Sequence, residues 1–351
     1  MPELVSILIP AFNAEKWISE TIKCAIRQTW PRKEIIIVDD GSIDNTLKIA
    51  RQFESKHVKV FTQENRGASA ARNKAFEHAQ GKYIQWLDSD DLLDLNKISE
   101  QMKIAESDRT GLTLYSSPFG TFYWRWQRAQ FVRNALWQNL SPLDWLLSRF
   151  SKNLWMVPAV WLVSRKIAEK AGPWDERLSL DDDGEYFCRV VGASKNVIFV
   201  EGARAYYRNS GFNQLNRNNS EKACRSLLLS TKLCIQHLQS IEDSQRTRTA
   251  SLALLEAQWP FHYLEKFGQR EEIKKLALEL GCKLMEPKLS RREGLMNKIF
   301  GQVIGREIVT ALRKMRLATA VQWDKLLFKI SESSIKVERY GNEGIIDHGR
   351  E

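Results

Sequence analysis

Lys82-Tyr83-Ile84-Gln85-Trp86-Leu87-Asp88-Ser89-Asp90-Asp91-Leu92-Leu93 is the stretch on which the fold turns. An apolar run, Tyr83 to Leu87, stops abruptly at three carboxylates, Asp88, Asp90 and Asp91. Read as a strand, the run puts residues i and i+2 on one face, so Asp88 and Asp90 point the same way. Open α/β sheets bind ligands beyond the carboxyl ends of their strands. Carboxylates crowded there repel unless a cation lies between them, and hard oxygen ligands suit Mg²⁺ or Mn²⁺. The competing reading is an acidic turn in which Asp90 or Asp91 caps the next helix.

Working outward, the first hundred residues alternate between the two periods. Leu4 to Ile9 reads as a buried strand stopped by Pro10, and Ala14 to Thr29 as a helix with Trp17, Ile18, Ile22 and Ile26 along one side. Strands follow at Glu34–Val38 and Val58–Phe61, helices at Asn45–Glu54 and Ala68–Ala79. Strand and helix in turn predict a mostly parallel, Rossmann-like sheet covered on both faces. Beyond Thr113 the pattern loosens. Strands are expected at Thr113–Ser117, Thr121–Trp124, Ala159–Val163, Val197–Val200 and Ala205–Arg208, helices at Leu143–Phe150, Arg165–Ala171 and Asp181–Val191. After a polar linker, Asn213–Asn219, helices are expected at Glu221–Leu238, Gln245–Phe267, Glu271–Leu280 and from Leu295 to about Ile330. The expected division is an α/β domain over 1–212, a helical extension over 213–335 and a loose tail over 336–351.

The 351 residues are 43% hydrophobic, enough for a substantial core. No window reaches the length of a membrane span, and Leu4–Ile9 is too short for a signal peptide. Five scattered cysteines without a C-x-x-C pair argue against a metal-thiolate site or disulfide framework and fit a reducing cytoplasm. The net charge is +10, and residues 281–320 hold nine Lys/Arg against three Glu. No nucleic-acid-binding signature accompanies that charge, so nucleic acid is not an expected partner. Over 295–317 a stripe of Met296, Ile299, Phe300, Val303, Ile304 and Ile308 faces Arg306, Arg313, Lys314 and Arg316. This suits a helix lying on an anionic membrane, or one packed on its own domain with a solvated basic face.

Two further acidic groups and two arginines stand out. Asp39-Asp40-Gly41-Ser42 ends the second strand; its carboxylates suit a base N–H or ribose hydroxyls, or ordinary turn chemistry. Arg66 and Arg72 flank the start of the Ala68 helix, where a phosphate or plain solvent are the alternatives. Asp181-Asp182-Asp183-Gly184-Glu185 offers a general base, or an acidic helix N-terminus. The aromatic run Phe122-Tyr123-Trp124-Arg125-Trp126 suits sugar stacking or core packing.

Taken in order, these motifs resemble the family 2 glycosyltransferases, inverting enzymes of GT-A fold. The likeness runs through Val5–Asn13, Gln28-Thr29, Glu34–Ser42, Asn65–Asn73, Gly81–Ile84 and Asp88–Asp91, then Gly172–Glu176 and Asp182–Arg189. It implies a donor half over 1–95 and an acceptor half over 96–212. Pro10, Ala11 and Asn13 would line the nucleotide pocket, Asp40 would contact the base with Asp39 nearby, and Arg72 would approach base or phosphates. Asp88-Ser89-Asp90 resembles the D-x-D motif: Asp90 would hold Mg²⁺ or Mn²⁺ on the diphosphate, and Asp88 ribose or metal-bound water. By spacing Asp183 is the candidate base and Asp182 its runner-up, because three consecutive Asp leave the register open by one. The implied donor is a nucleoside-diphosphate sugar, most commonly UDP-linked, and the acceptor a glycan or lipid-linked glycan. A catalytically silent nucleotide-sugar scaffold is the alternative. A sugar nucleotidylyltransferase is a further one, although its Gly-rich phosphate loop is replaced here by Pro10-Ala11-Phe12-Asn13.

Overall fold

The computed structural model describes residues 1–209, 220–258, 268–282, 284, 295, 298–300, 308–309, 311–312 and 315–330. They fall into two compact units: Met1–Thr121 with Gln130–Tyr207 and Asn213–Pro287, and Phe122–Ala129 with Arg208–Phe212 and Lys288–Glu351.

In the first unit, β1 (Val5–Ala11), β2 (Lys33–Asp39), β3 (Val58–Thr62) and β4 (Tyr83–Trp86) pair in parallel. Antiparallel β9 (Val163–Ser164) closes the sheet in the order β3-β2-β1-β4-β9. Helices α1 (Ile18–Ile26), α2 (Thr46–Arg51) and α3 (Ala68–His78) make the crossovers. Burial on both faces explains why β1 is apolar throughout and buried at every position. Pro10 is tolerated in this central strand because β1 pairs with β4 only from Val5↔Tyr83 to Leu8↔Trp86. The chain moves from β1 to β2 and β3 on one side and returns to β4 on the other. The topological switch point therefore lies between β1 and β4, and the carboxyl ends of these strands carry Asn13 and Asp88.

The rest of this unit builds around that sheet. It contains α4 (Lys97–Ala105), which the sequence pattern left unread, and α5 (Pro142–Ser151), whose Ser141 caps it by accepting the Asp144 N–H at 3.1 Å. A single 3₁₀ turn, Pro158–Val160, replaces the expected strand over Ala159–Val163; Trp161 and Leu162 then lead into the two-residue β9. Then come α6 (Arg165–Ala171), α7 (Asp182–Ala193), α8 (Glu221–Ile241), α9 (Gln245–Gln258) and α10 (Arg270–Glu279). The parallel pair β6 (Thr113–Ser116) and β10 (Asn196–Phe199) forms a second sheet. A third orders β5 (Leu92–Leu93), β11 (Ala205–Arg208), β7 (Phe119–Phe122) and β8 (Gln130–Phe131). The many tryptophans pack the core: Trp174 stacks on Tyr186 at 4.0 Å, and Trp145 meets Trp161 edge-on at 5.4 Å.

In the second unit Asp324, within helical residues 315–330, accepts the Trp124 N–H at 2.9 Å and Arg125 Nε at 2.7 Å. Trp124 is half-buried and lies 5.8 Å from the Phe328 ring. The expected linker 213–219, the helix end 259–267, most of the basic segment 295–317 and the tail 336–351 lie outside the described residues. Among the described residues no helix is long and apolar enough to cross a membrane.

Candidate functional site

At the carboxyl edge of the sheet β1 runs into Asn13, held at φ 48°. Its N–H donates to Ser42 Oγ at 2.9 Å and its Oδ1 accepts the Ile43 N–H at 3.0 Å. Pro10, Ala11 and Asn13 are thereby tied to the turn after β2. Gly41 has φ 71°, and a Cβ there would stand 2.8 Å from the Asn65 backbone nitrogen, so only glycine lets the two loops meet. Asp40 joins them: its Oδ1 accepts from Arg66 N at 2.9 Å and Gln63 Nε2 at 2.8 Å, its Oδ2 from Gly67 N at 2.8 Å. Asp39 Oδ2 accepts from Ser42 N and Thr62 Oγ1, both at 3.2 Å, while its buried Oδ1 has no hydrogen-bond partner. The turn-chemistry reading thus applies to Asp39, whereas Asp40 anchors the Asn65–Gly67 loop.

Arg66 and Arg72 part company. Arg66 is exposed and pairs with Glu176 at 2.7 Å. Arg72 is 6% exposed, and its guanidinium forks to Asp88 Oδ1 at 2.8 Å and Asp182 Oδ2 at 2.6 Å, 4.3 Å above the Trp174 ring. Burial disfavours its charge, but the two carboxylates outweigh burial and raise its pKa. Asn73, one residue on, fixes the platform beneath: its Nδ2 donates to Trp174 O at 3.0 Å and its Oδ1 accepts the Trp174 N–H at 2.8 Å. The sequence reading quoted Asn73 without a role; its amide ties the Asn65–Asn73 motif to Gly172–Glu176.

The three consecutive aspartates have three different environments. Asp181, at φ 58°, turns inward: its Oδ2 accepts Ser230 Oγ at 2.6 Å, and burial raises its pKa against the pull of Arg149. Asp182 belongs to Arg72. Asp183 has no ion pair among the described residues; its Oδ1 accepts the Gly184 N–H at 2.9 Å. Burial, reinforced by the charges of Asp182 and Asp181, pushes the Asp183 carboxyl up to about 7. Gly184 is required because a Cβ there would collide with the Asp181 carboxylate and sit 2.8 Å from Arg149 Nη2. Glu185 is 2% exposed and engaged by Arg189 at 2.7 Å and His237 at 3.0 Å.

The Asp88–Asp91 segment differs from its expected form. β4 stops at Trp86, and the Asp91 N–H donates to Asp88 O at 3.1 Å, so the carboxylates sit in a turn and strand alternation does not orient them. Nor do Asp90 or Asp91 cap a helix: β5 follows, and α4 begins only after Asn96. The turn does face the acidic centre. Burial first, then the negative charge of Asp91, Asp90, Asp88 and Asp183, pushes the Tyr207 phenol pKa up, so β11 brings Tyr207 among all four. No sequence signal marked Tyr207. Among the described residues no three acidic, histidine or cysteine side chains group as metal ligands. Mg²⁺ commonly takes one or two carboxylates, completing its shell with water and substrate phosphate. Hard carboxylates in a strongly negative field fit such an ion.

The chain is similar in sequence and in fold to known proteins. The model of glycosyl transferase family 2 matches residues 6–172. TuaG of Bacillus subtilis (strain 168), named for teichuronic acid biosynthesis, is 44% identical over 104 residues, 28% of this chain and 41% of TuaG. WfgD of Escherichia coli, a UDP-Glc:alpha-D-GlcNAc-diphosphoundecaprenol beta-1,3-glucosyltransferase, is 40% identical over 102 residues, 29% of this chain and 40% of WfgD. The chain thus matches about two fifths of each of these relatives. Residues 1–349 of S. aureus TarS, crystallised with UDP, share the fold at TM-score 0.59 and 17% identity, over 78% of this chain and 77% of that 1–349 chain. The α/β sheet and the ordered motifs go with that match: residues 6–172 carry a glycosyl transferase family 2 domain.

Proposed function

We propose that the chain is an inverting glycosyltransferase that moves a sugar from a nucleoside diphosphate, UDP by preference, to a hydroxyl of a glycan or lipid-linked acceptor. One observation carries the reading. Arg72 draws Asp88, beyond β4, and Asp182, at the start of α7, to a single guanidinium, and Asp183 beside them makes no ion pair among the described residues. Residues 1–95 then form the donor half and 96–212 the acceptor half. UDP is favoured because WfgD is named for a UDP-sugar and TarS was crystallised with UDP. The lipid-linked class of acceptor rests on the name of WfgD.

Pro10, Ala11, Asn13, Asp39 and Asp40 would line the base and ribose, and Ser89 the diphosphate. Asp90, with Asp88, would hold a divalent ion, which when bound supplies positive charge to the departing diphosphate. Asp183 accepts the acceptor hydroxyl proton as that oxygen bonds to C1 of the donor sugar. The bond from C1 to the phosphate oxygen breaks on the opposite face, so the anomeric carbon inverts. A carboxyl near 7 suits this role, because a base works best with its pKa close to the working pH. Five unpaired cysteines agree with a reducing, cytoplasmic setting. Contact with an anionic membrane through 295–317 belongs to the same proposal, on the strength of the nine Lys/Arg over residues 281–320.

The test is thermal unfolding with UDP, GDP, dTDP and CDP, each with and without Mn²⁺. A nucleotide at a hundred times its Kd should add ~2.7 kcal/mol. A metal-dependent shift with one nucleotide, abolished by Asp90→Ala, is expected. No shift with any of the four would count against nucleotide binding and so against the proposal.

A further inference from the structure

Tryptophan in the first unit is a core residue: Trp86, Trp145, Trp161 and Trp174 are each at most 2% exposed. Trp155 is 53% exposed, in the segment between α5 and the Pro158 turn. A lone exposed apolar side chain is unremarkable, so its placement decides. The indole is fixed on two sides, 5.0 Å from the Phe119 ring and 5.6 Å edge-on to the Tyr207 ring. β11 pairs antiparallel with β5 in the register Ala205↔Leu93 and Tyr206↔Leu92, so Tyr207 comes opposite Asp91, at the Asp88–Asp91 turn. A rigid, half-open aromatic surface therefore stands one ring away from the acidic centre.

We propose that Trp155 is the platform for the acceptor sugar: its open face stacks on the C–H face of a neutral pyranose and presents a hydroxyl toward Asp183. This rests on the reading of the chain as a glycosyltransferase. An aromatic face is the negative pole of its quadrupole and attracts the polarised C–H bonds of a sugar ring. Tyr207 is a positioning residue: its ring holds the indole edge-on at 5.6 Å.

Saturation-transfer NMR on the full chain with UDP and Mg²⁺ tests this. The probes are methyl β-glucopyranoside, methyl β-galactopyranoside and methyl β-N-acetylglucosaminide; the proteins are wild type, Trp155→Ala and Trp155→Phe. At least one glycoside should receive saturation at its ring C–H protons in the wild type. Trp155→Ala should weaken that binding about tenfold, and Trp155→Phe should restore most of it. UDP signals should be equal in all three. Equal glycoside binding by wild type and Trp155→Ala would overturn the proposal. So would no glycoside binding by a wild type that binds UDP, or loss of UDP along with the glycoside in Trp155→Ala. A wild type that saturates a glycoside through Trp155 yet never binds UDP would instead sink the donor reading and leave the platform standing.

Discussion

Two runs of acidic residues face the site, Asp39-Asp40 after β2 and Asp181-Asp182-Asp183 at the start of α7, and they are built on opposite plans. Asp40 spends its carboxylate on the backbone amides of Arg66 and Gly67, so it is a strut between loops of the sheet edge. In the triplet, Ser230 and Arg149 occupy Asp181 and Arg72 occupies Asp182. Asp183 makes no ion pair among the described residues and accepts only the Gly184 N–H at 2.9 Å. The first run fixes geometry; the second uses two carboxylates to keep a third basic. Identical side chains acquire different chemistry from the charges placed around them, and that contrast can be attacked residue by residue.

The largest effect belongs to Asp183→Asn. It keeps the shape and removes the base, so turnover should fall ~10²–10⁴-fold while UDP binding holds. The same change should stabilise the fold at neutral pH and above. The folded carboxyl sits near 7, above the usual carboxylate range, so the folded state holds its proton longer than the unfolded chain. Stability is then lost as pH rises from the ordinary aspartate value through about 7, and the amide abolishes that loss. Urea melts of both proteins at pH 8 check the sign; a less stable Asp183→Asn would break the contrast.

Next comes Gly184→Ala. The added methyl meets the half-buried Asp181 carboxylate and the buried Arg149 guanidinium, so the start of α7 must shift. Overpacking of this kind costs ~1–3 kcal/mol. Chemical denaturation should show that loss, with turnover falling as well because Asp183 is displaced.

Asp182→Asn tunes the triplet. Removing a neighbouring negative charge lowers the Asp183 pKa. In the wild type, kcat/KM should fall as pH drops through about 7, since Asp183 must be ionised to accept a proton. In Asp182→Asn the acid limb should move to lower pH. An unmoved limb would mean that Asp182 is only the partner of Arg72, or that another group is the base.

This contrast also marks what the chain's pattern could disclose. The parallel sheet was legible because β1 and β2 are near-continuous apolar runs, and the motif residues at their ends are placed by the strands themselves. The state of each aspartate in 181–183 was not, because Arg72, Arg149 and Ser230 lie up to 110 residues away and nothing local selects among them. α4 was missed since its buried face includes Lys97 and Gln101, polar residues that break the apolar period. Tyr207 and Trp155 carry no motif; only the fold of β11 against the segment before Pro158 brings them together.

Arg66 sharpens the comparison from its weak end. It stands in the same motif as Arg72 and also bridges to the acceptor half, through Glu176 at 2.7 Å. Its side chain is 64% exposed and that of Glu176 40%, against 7% for Arg72. Water screens the outer pair, and holding two long side chains in register costs entropy, so such bridges give ~0.2–1 kcal/mol. The structural duty at this position falls on the Arg66 backbone N–H, which any residue but proline supplies to Asp40. Arg66→Ala should therefore change stability by less than ~1 kcal/mol and leave nucleotide-dependent stabilisation within error. If Arg66→Ala instead abolishes the UDP shift, the guanidinium leaves Glu176 for the diphosphate when donor binds, and the outer arginine, not the buried one, is the phosphate ligand.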